Sequence, residues 1–439
     1  MRRLLFLLVL SGFWTLADTR PPDIPFKIEM IDPGQSESAA VADINHDGHL
    51  DIVSGEYWYE APAWKKHQFR QINYVGNYID NFIDIPIDVN GDGYPDVVSV
   101  TYFSHKISWF QNPGLNVNET DAPWAEQTID DRGPIEFAFL VDIENTGKKR
   151  DILPQFANPR LPLVWYEIKD GKWVTHSVSP HGYGHGIGAG DVNGDGRTDI
   201  LTPKGWFEAP ADPRSEDWKF HPDWDSNAGA SYCGLNSTSV TGQGTPPPPV
   251  PGSQPGELGF MHVIDINGDG LPDVLTTCAH DYGVFWLEQQ PNDQWVKHNI
   301  DYTWSQGHYS VLADMHGDGH LELVTGKRYF AHNGNDPGAR EPLGVYWYEF
   351  LTNPQHQVEW VRHVISYGGR MGGGTELQAI DIDGDGAIDI VAGGKSGLFL
   401  ARNMTKELAT NKKATTARNA HLGGRSFSSD IKRPLSKGL

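Results

Sequence analysis

The sequence predicts an all-β fold, a seven-bladed β-propeller with four-stranded blades that is closed by the N-terminal strand. Three observations predict it: an Asp-rich loop that recurs along the chain, two short strand-like segments after each copy of the loop, and a further segment with the pattern Trp-x-x-His after most copies. A unit of this size cannot bury its apolar face alone. Consecutive copies therefore favour a ring of blades around one axis.

The clearest copy of the loop lies within Gly184 to Pro210, GHGIGAGDVNGDGRTDILTPKGWFEAP. Asp191, Asn193, Asp195 and Asp199 place oxygen atoms at loop positions 1, 3, 5 and 9, and Gly at position 6 permits the turn that aims the position-7 carbonyl inward. Such oxygen ligands are typical of calcium sites. An EF-hand needs flanking helices, whereas the flanking segments here are short, apolar and bounded by Gly and Pro, as in strands.

The leading Asp of the loop recurs at Asp43, Asp88, Asp142, Asp191, Asp265, Asp314 and Asp381. Five copies keep every side-chain ligand, and we expect these to bind structural calcium. Besides the copy already described, their ligands are Asp43, Asn45, Asp47, Asp51; Asp88, Asn90, Asp92, Asp96; Asp265, Asn267, Asp269, Asp273; and Asp381, Asp383, Asp385, Asp389. The sixth copy has His at position 3 but keeps Asp314, Asp318 and Glu322, which predicts weak binding. The third copy has Thr at position 5 and an additional residue before position 9, so we expect it to keep the turn without the metal.

Each loop is followed by a strand like Asp-Ile-Val, then by an aromatic strand such as Tyr57-Trp58-Tyr59. The Trp-x-x-His pattern marks a fourth strand at Trp64/His67, Trp173/His176, Trp218/His221, Trp295/His298 and Trp360/His363, with Trp124/Gln127 as the exception. Because these histidines repeat with the blade, we interpret them as structural. The last copy lacks a fourth strand, and the segment FKIEMI before the first copy supplies it, so the ring is expected to run from about Phe26 to Asn403 and to leave no open edge.

The N-terminal segment predicts export. Residues 1–17 combine two Arg residues, the apolar run LLFLLVL and small residues at a cleavage site, which together indicate a signal peptide and a secreted protein, extracellular or periplasmic. No later apolar run reaches the ~20 residues of a membrane span. The propeller is expected at 18–404, with a long Pro-rich loop at 223–256 and a basic, disordered tail at 405–439.

Charge and cysteine content narrow the class of protein further. The formal net charge of −22 excludes the basic surface that nucleic-acid binding requires. The two cysteines, Cys233 and Cys278, are either disulfide-bonded or two buried free thiols.

The repeats resemble the FG-GAP or VCBS repeats of integrin-like seven-bladed propellers. The stretches HGYGHGIGAGDVNGDG, AHDYGVFWLEQ, WSQGHYS, TGKRYFAHNGNDPG and GGRMGGG are similar to the propeller domain of the aldos-2-ulose dehydratase family and its bacterial relatives. This resemblance implies a lyase that removes water from a keto-sugar such as an aldos-2-ulose or 1,5-anhydrofructose, with a metal ion at the bottom of the propeller cleft.

The blade topology predicts where the functional site lies. In a four-stranded blade, the loop between the first two strands lies on the opposite face from the start of the first strand, so the site should lie on the face away from the calcium loops. Six residues before each leading Asp stand Glu37, Phe82, Glu136, His185, Gly259, His308 and Thr375. Equivalent positions around a ring converge on its axis. We therefore assign a second divalent ion such as zinc to His185 and His308, with His262, Glu136 or Glu37 as the third ligand.

Residues of nearby loops complete the predicted site. His280 or His332 is the expected general base or acid, because an unperturbed imidazole titrates near neutrality. Lys327 or Arg328 would stabilise the enolate charge. Residues expected to bind substrate are Gln306, His105, Lys204 and Glu376. The alternative is a non-catalytic, lectin-like or adhesion propeller, but its pockets should recur with the blade, whereas these loop residues do not.

Overall fold

The computed structural model describes residues 23–118, 122–169, 171–225, 233, 256–292 and 294–410. The predicted signal peptide, most of the Pro-rich loop and most of the basic tail lie outside the described residues. In the described part the chain forms thirty β-strands and two short 3₁₀ helices, η1 (Gly114–Asn116) and η2 (Ala331–Gly334).

The first fifteen strands are β1 (Phe26–Asp32), β2 (Ala40–Ala42), β3 (Asp51–Ser54), β4 (Tyr57–Glu60), β5 (Lys65–Gln68), β6 (Tyr74–Val75), β7 (Tyr78–Ile79), β8 (Ile83–Ile87), β9 (Asp96–Val100), β10 (Ile107–Gln111), β11 (Ala125–Asp130), β12 (Ile135–Val141), β13 (Asp151–Phe156), β14 (Leu163–Lys169) and β15 (Lys172–Ser179). The others are β16 (Ile187–Gly190), β17 (Asp199–Thr202), β18 (Gly205–Glu208), β19 (Lys219–His221), β20 (Leu258–Ile264), β21 (Asp273–Cys278), β22 (Tyr282–Gln289), β23 (Trp295–Ser305), β24 (Gly307–Ala313), β25 (Glu322–Lys327), β26 (Gly344–Thr352), β27 (Val358–Tyr367), β28 (Leu377–Ile380), β29 (Asp389–Ala392) and β30 (Leu398–Asn403).

The strands form antiparallel blades of a β-propeller. Five sheets have four strands each, in the orders β2–β3–β4–β5, β8–β9–β10–β11, β12–β13–β14–β15, β24–β25–β26–β27 and β28–β29–β30–β1. The prediction of an all-β propeller with four-stranded blades is confirmed. Each Asp-rich loop joins the first strand of a blade to the second, as the sequence pattern predicted.

An eight-stranded sheet contains the strands β16 to β23. Its two halves are joined by parallel pairing of β16 with β20, in which Gly188 lies opposite Met261. A Cβ atom on Gly188 would lie 2.2 Å from the carbonyl oxygen of Met261, so only glycine allows this approach. The run of small residues in β16, IGAG, therefore explains why these two inner strands are hydrogen-bonded to each other.

The N-terminal strand pairs with the C-terminal sheet. β1 lies antiparallel to β30, with Phe26 opposite Asn403 and Lys27 opposite Arg402. These are the residues that the sequence assigned to the two ends of the propeller.

An axial cavity of about 700 Å³ runs between the blades. All of the first strands contribute to its wall, namely β2, β8, β12, β16, β20, β24 and β28. The apolar core lies outside this cavity, where aromatic third strands such as β14 and β26 pack between neighbouring sheets and bury Trp165 and Trp347 almost completely.

The Trp-x-x-His histidines lie inside the blades, against the aromatic third strand. Each imidazole stacks on a Trp of that strand, with ring centroids 4.2 Å apart for His67 and Trp58 and 3.7 Å apart for His363 and Trp347. The Glu two residues after that Trp binds the ring Nε2, as in the 2.9 Å contact between Glu60 and His67. The rings are stacked face to face, which agrees with the structural role inferred from the repeat.

Two further features are the disulfide and the segment after β30. Cys233 and Cys278 form a disulfide, which indicates an oxidising environment. Residues 405–410 are helical, with a hydrogen bond from the Leu408 N–H to the Met404 carbonyl, where the sequence predicted disorder. Good helix-forming residues, Lys406 to Ala409, account for this difference. Among the described residues, no helix is both long and apolar enough to cross a membrane.

Candidate metal centre and its cavity

The candidate site lies where the first strands of several blades begin. Glu136 is the second residue of β12 and His308 the second residue of β24, while His185 precedes β16 by two positions. The Asp-rich loops follow the opposite ends of the same strands. Asp142 lies six positions after Glu136 along an extended strand, a distance of about 20 Å. The histidine cluster and the Asp-rich loops therefore occupy opposite faces.

Three histidines and one carboxylate meet at this point. One ligand atom from each of Glu136, His185, His280 and His308 lies within 4.8 Å of the others. His185 Nε2 is 3.0 Å from Glu136 Oε2 and 3.3 Å from His280 Nε2, and His308 Nε2 is 3.6 Å from Glu136 Oε1. All four residues are at least nine-tenths buried.

The tautomers of these histidines are set by oxygen acceptors on the far side of each ring. His185 Nδ1 lies 2.8 Å from the Leu258 carbonyl, and His280 Nδ1 lies 3.0 Å from an Asp336 oxygen. His308 Nδ1 makes a longer contact, 3.5 Å, with the Gln306 carbonyl. A proton on Nδ1 leaves the Nε2 lone pair free, so three lone pairs are directed into the cluster.

This arrangement fits a divalent metal ion. A tetrahedral zinc ion with bonds of about 2.0 Å holds its ligand atoms roughly 3.3 Å apart. The separations of 3.0, 3.3 and 3.6 Å, which involve both oxygens of Glu136, are near that value, and one ligand atom of each residue lies within 4.8 Å of the others. Imidazole nitrogens and one carboxylate also form the ligand set that zinc prefers. One contact competes: Arg328 Nη1 lies 2.9 Å from His308 Nε2 and donates to the lone pair that a metal would use.

Arg328 links two buried carboxylates. Its Nε donates to Glu37 Oε2 at 3.1 Å and its Nη1 to Glu136 Oε1 at 2.8 Å. Lys395 Nζ lies 3.9 Å from the other oxygen of Glu37. The side chains of all four residues are nearly inaccessible to solvent, so this is a buried charge network in which each carboxylate faces a cation.

The network shifts the pKa values of the cluster in opposite directions. Burial acts to raise the pKa of Glu136, but His185 and Arg328 outweigh it and hold that pKa well below its usual range. Burial and the Arg328 charge keep the pKa of His308 well below its usual range, so this imidazole is neutral. Burial also lowers the pKa of His280. For His185, burial acts to lower the pKa, but Glu136 reverses the effect and raises it.

Beside the cluster lies a second cavity of about 290 Å³, which we call the aromatic cavity. Its wall consists of Tyr78, Phe82, Tyr102, Phe103, Glu136, Arg328, His332 and Asn333. The His332 ring stacks on His280 with centroids 4.3 Å apart, and Asp336 contacts Nδ1 of both rings. The hydrogen bond to Asp336 raises the pKa of His332, which is the more exposed of the two imidazoles.

Several predicted metal ligands have other partners. Glu37 lies in the site but pairs with Arg328. His262 lines the axial cavity, where its Nε2 contacts Ser310 Oγ at 2.9 Å, because it lies three residues further along its strand than the axial position. His280, predicted as base or acid, is instead part of the metal-ligating group.

Lys327, predicted to stabilise the enolate charge, and the predicted substrate-binding residues also have other places. Lys327 Nζ donates to Ser305 Oγ at 2.7 Å, and Gln306 Nε2 donates to Asp336 at 3.2 Å. Glu376 accepts the backbone N–H groups of Ala39 and Asp84 and lines the axial cavity. His105 and Lys204 are exposed turn residues, and neither belongs to the wall of the aromatic cavity.

Sequence reasoning did not find Asp336, Glu257 or the aromatic wall. Asp336 lies within the stretch TGKRYFAHNGNDPG, and its position four residues after His332 was an available signal. Glu257 Oε2, 3.6 Å from His280 Nε2, directly follows the Pro-rich loop and carries no recognisable signal.

The Asp-rich loops share one hydrogen-bond pattern. In the first, Asp43 accepts the backbone N–H groups of Asp47 and Gly48. The position-9 residue Asp51 is fully buried and accepts the N–H groups of Ile44 and Ala61. The corresponding residues Asp96, Asp199, Asp273 and Asp389 do the same.

The position-9 residue, which the sequence predicts as a calcium ligand, therefore also has a structural role. Both of its oxygens tie the loop to the blade, whereas the side chains at positions 1, 3 and 5 remain at the loop itself. In the last loop, oxygens of Asp381, Asp383 and Asp385 lie within 4.8 Å of one another. In the third loop, Thr146 and Gly147 N–H groups bind Asp142, so the turn is kept there as expected.

Comparison with known proteins identifies the repeat. A model of the FG-GAP-like repeat matches residues 265–325, which include the fifth and sixth Asp-rich loops. No curated protein matches the chain by sequence. The chain is thus a β-propeller that contains an FG-GAP-like repeat.

Solved structures with a similar fold are distant. A chain in the crystal structure of BBS1N in complex with ARL6DN is 9% identical to this chain. The comparison covers 86% of this chain and 96% of that chain, with a TM-score of 0.48. Rhamnogalacturonan lyase YesW is 12% identical, with 87% of this chain and 74% of that chain covered and a TM-score of 0.41. At such low similarity these structures carry no argument about activity.

Proposed function

We propose that this protein is a metal-dependent carbohydrate lyase that removes water from a keto-sugar such as an aldos-2-ulose or 1,5-anhydrofructose. The observation that carries the proposal is the convergence of three histidine Nε2 atoms and the Glu136 carboxylate at the wall of a cavity. Within the described residues a group of three histidines and one carboxylate occurs once, as a catalytic centre does, and does not recur with each blade.

Four residues would hold the ion: His185, His280, His308 and Glu136. When bound, a zinc-like ion supplies Lewis-acid polarisation of a carbonyl oxygen. His308 Nε2 is free to bind the ion if Arg328 gives up its contact with that atom and keeps its contacts with Glu37 and Glu136. Asp336 and the Leu258 carbonyl orient two of the imidazoles through their Nδ1 atoms.

The proton transfers fall to His332, and the enolate charge to Arg328. The carbon beside the carbonyl loses its proton to the imidazole, the C–O bond of the neighbouring hydroxyl breaks, and a C=C bond forms between the two carbons. The departing hydroxide takes the proton back from the imidazolium and leaves as water. Asp336 favours this relay because it stabilises the imidazolium form of His332.

We further propose that the eight-stranded sheet comprises two blades, which makes seven, and that pairing of β1 with β30 closes the ring. The first strands that line the axial cavity support this count. The five complete Asp-rich loops are proposed to bind calcium through positions 1, 3, 5 and 9 and the position-7 carbonyl. The disulfide and the N-terminal apolar segment support secretion.

The proposal is tested with zinc-loaded protein and 1,5-anhydrofructose. Formation of the enone product is followed by its absorbance, and bound zinc is measured in the same samples. His280→Ala and His308→Ala should lose zinc and at least about a hundredfold in rate, whereas His105→Ala, an exposed control, should match the wild type. Turnover that survives both substitutions would overturn this site. Absence of turnover on every keto-sugar, together with saturable binding of intact glycans, would favour a lectin-like propeller.

A further inference from the structure

The aromatic cavity has a construction that the proposed chemistry does not itself require. Four rings form a continuous wall: Tyr102 and Phe103 lie 5.2 Å apart, Phe103 and Tyr78 5.5 Å, and Phe82 and Tyr102 5.7 Å between centroids. None of these rings belongs to the third strands that form the blade cores. All four lie between the start of β7 and the turn after β9, so the wall occurs on one side of the axis only.

The wall is held in place by a buried carboxylate. Asp80 Oδ1 accepts the backbone N–H groups of Tyr102 and Phe103 at 3.0 and 2.8 Å, and its Oδ2 accepts that of Ser104 at 2.7 Å. Asp80 is 1% exposed. Three charge-assisted hydrogen bonds to consecutive residues fix this turn before any ligand arrives, which lowers the entropic cost of binding.

One buried polar group beside the cavity has no partner. Arg328 is 2% exposed and lines the cavity, yet its Nη2 makes no hydrogen bond in the described part of the chain. A buried guanidinium N–H that lacks an acceptor costs free energy.

We infer that the aromatic cavity binds a single sugar ring, with an apolar C–H face against Tyr102 and Phe103. This inference rests on the proposed function and specifies its substrate as a free monosaccharide or anhydro-monosaccharide. The volume of about 290 Å³ is at the lower end of the roughly 300–1,000 Å³ of small-molecule pockets. A second sugar would have to lie outside the wall.

The test is calorimetric titration of the zinc-loaded protein with two probes. The first is 1,5-anhydroglucitol, a single ring without a carbonyl group that therefore cannot react, and the second is maltotetraose. Phe103→Ala and Tyr102→Ala should each weaken binding of 1,5-anhydroglucitol about tenfold or more. Asp80→Ala, which changes a positioning residue, should weaken it as well. Tyr74→Ala is the matched control, since Tyr74 is 57% exposed on β6, and should leave the Kd unchanged.

The outcomes separate this inference from the proposed function. Wild-type affinity in both Phe103→Ala and Tyr102→Ala would overturn the aromatic site and leave the lyase proposal in place. Tighter binding of maltotetraose than of the single ring would overturn the size limit. If the zinc-free protein binds 1,5-anhydroglucitol and Phe103→Ala weakens that binding, the aromatic site is supported independently of the metal, because this probe has no carbonyl group for the ion to polarise. A zinc-loaded wild type that binds neither sugar would contradict both.

Discussion

Arg328 is the residue on which the candidate site depends most, because it separates two buried carboxylates that would otherwise repel each other. Its guanidinium contacts Glu37, Glu136 and His308 at once. A lysine in its place has a single charged nitrogen and cannot reach three groups in different directions. The site is therefore also a structural ion network.

The first prediction concerns this network. Arg328→Met is expected to lower the free energy of unfolding by about 3–5 kcal/mol, since it leaves two buried carboxylates without their shared cation. Urea denaturation with the m-value held constant measures the change. In the double variant Arg328→Met/Glu37→Gln one of these charges is absent, so part of the loss should be recovered. Equal stability of the single variant and the wild type would contradict the network.

The second prediction concerns Lys297, which lies in β23 with its Nζ 4.1 Å from the centre of the Phe285 ring. Burial lowers the pKa of this ammonium to about 7. The unfolded chain, with an ordinary pKa of about 10.4, holds the proton more tightly, so charge burial costs stability below pH 7. This cost falls as the pH rises from about 7 to about 10.

Lys297→Met should therefore be more stable than the wild type at pH 7, by roughly 1–4 kcal/mol. The difference should shrink at pH 9 and approach zero near pH 10. Thermal unfolding of both proteins across this range is the measurement. A difference that stays constant with pH would show that packing, and not charge burial, separates the two proteins.

At the scale of the element, the repeated Trp, His and Glu side chains bind the third strand of a blade to the fourth. The blade of β8–β11 lacks this group, because Gln127 lies opposite Trp109 and Gln111 stands where the five blades with a Trp-x-x-His segment have Glu. The double substitution Gln111→Glu/Gln127→His should install the stack and its hydrogen bond. We expect a gain of about 0.5–1.5 kcal/mol, measured as a rise in Tm.

The control for this prediction is Gln127→His alone, which provides the ring without its carboxylate partner and should gain less. His221→Ala is the reverse change, since it removes a ring that stacks on Trp206 at 4.1 Å. It should lower the Tm. If neither change alters the Tm, the repeated group is without energetic consequence.

The Asp-rich loops are elements in which like charges are brought together. The oxygens of Asp381, Asp383 and Asp385 repel each other unless a cation lies between them. Removal of calcium by a chelator should therefore lower the Tm, because an ion that binds only the folded state stabilises it, by about 2.7 kcal/mol per site at a hundred times its Kd.

Two variants localise this effect. Asp381→Asn should reduce the shift in Tm that the chelator causes, whereas Asp142→Asn, in the loop that is expected to lack calcium, should leave the shift unchanged. A Tm that does not respond to the chelator in the wild type would contradict calcium binding by the loops.

For the whole molecule, the contact between β1 and β30 joins the first and the last strand of the described residues. Adjacent residues of a strand direct their N–H groups to opposite sides, so only one of the N–H groups of Ile28 and Glu29 can bond to β30. A proline at that one position removes the hydrogen bond, because proline has no N–H group. One of the variants Ile28→Pro and Glu29→Pro should lose about 1–3 kcal/mol of stability, since it leaves a β30 carbonyl without its donor, while the other is affected less. Equally small losses in both variants would contradict closure of the ring by this strand.

The sequence by itself determined the repeat, the four strands of each blade and the residues at the start of each first strand. These features depend on local chemistry: turn residues recur at set offsets, and strands alternate with loops. The convergence of Glu136, His185 and His308 followed from the same periodicity, because equivalent positions of a ring meet at its axis.

Only the tertiary structure decided which of these side chains contact each other. His280 joins the cluster from a turn 95 residues beyond His185 in the chain, and Arg328 reaches Glu37 across 291 residues. Sequence periodicity contains no information about a turn that is not repeated. A buried carboxylate is stabilised by the nearest cation, so Glu37 pairs with Arg328. Glu136 lies between Arg328 and the imidazoles of His185 and His308, and it contacts all three.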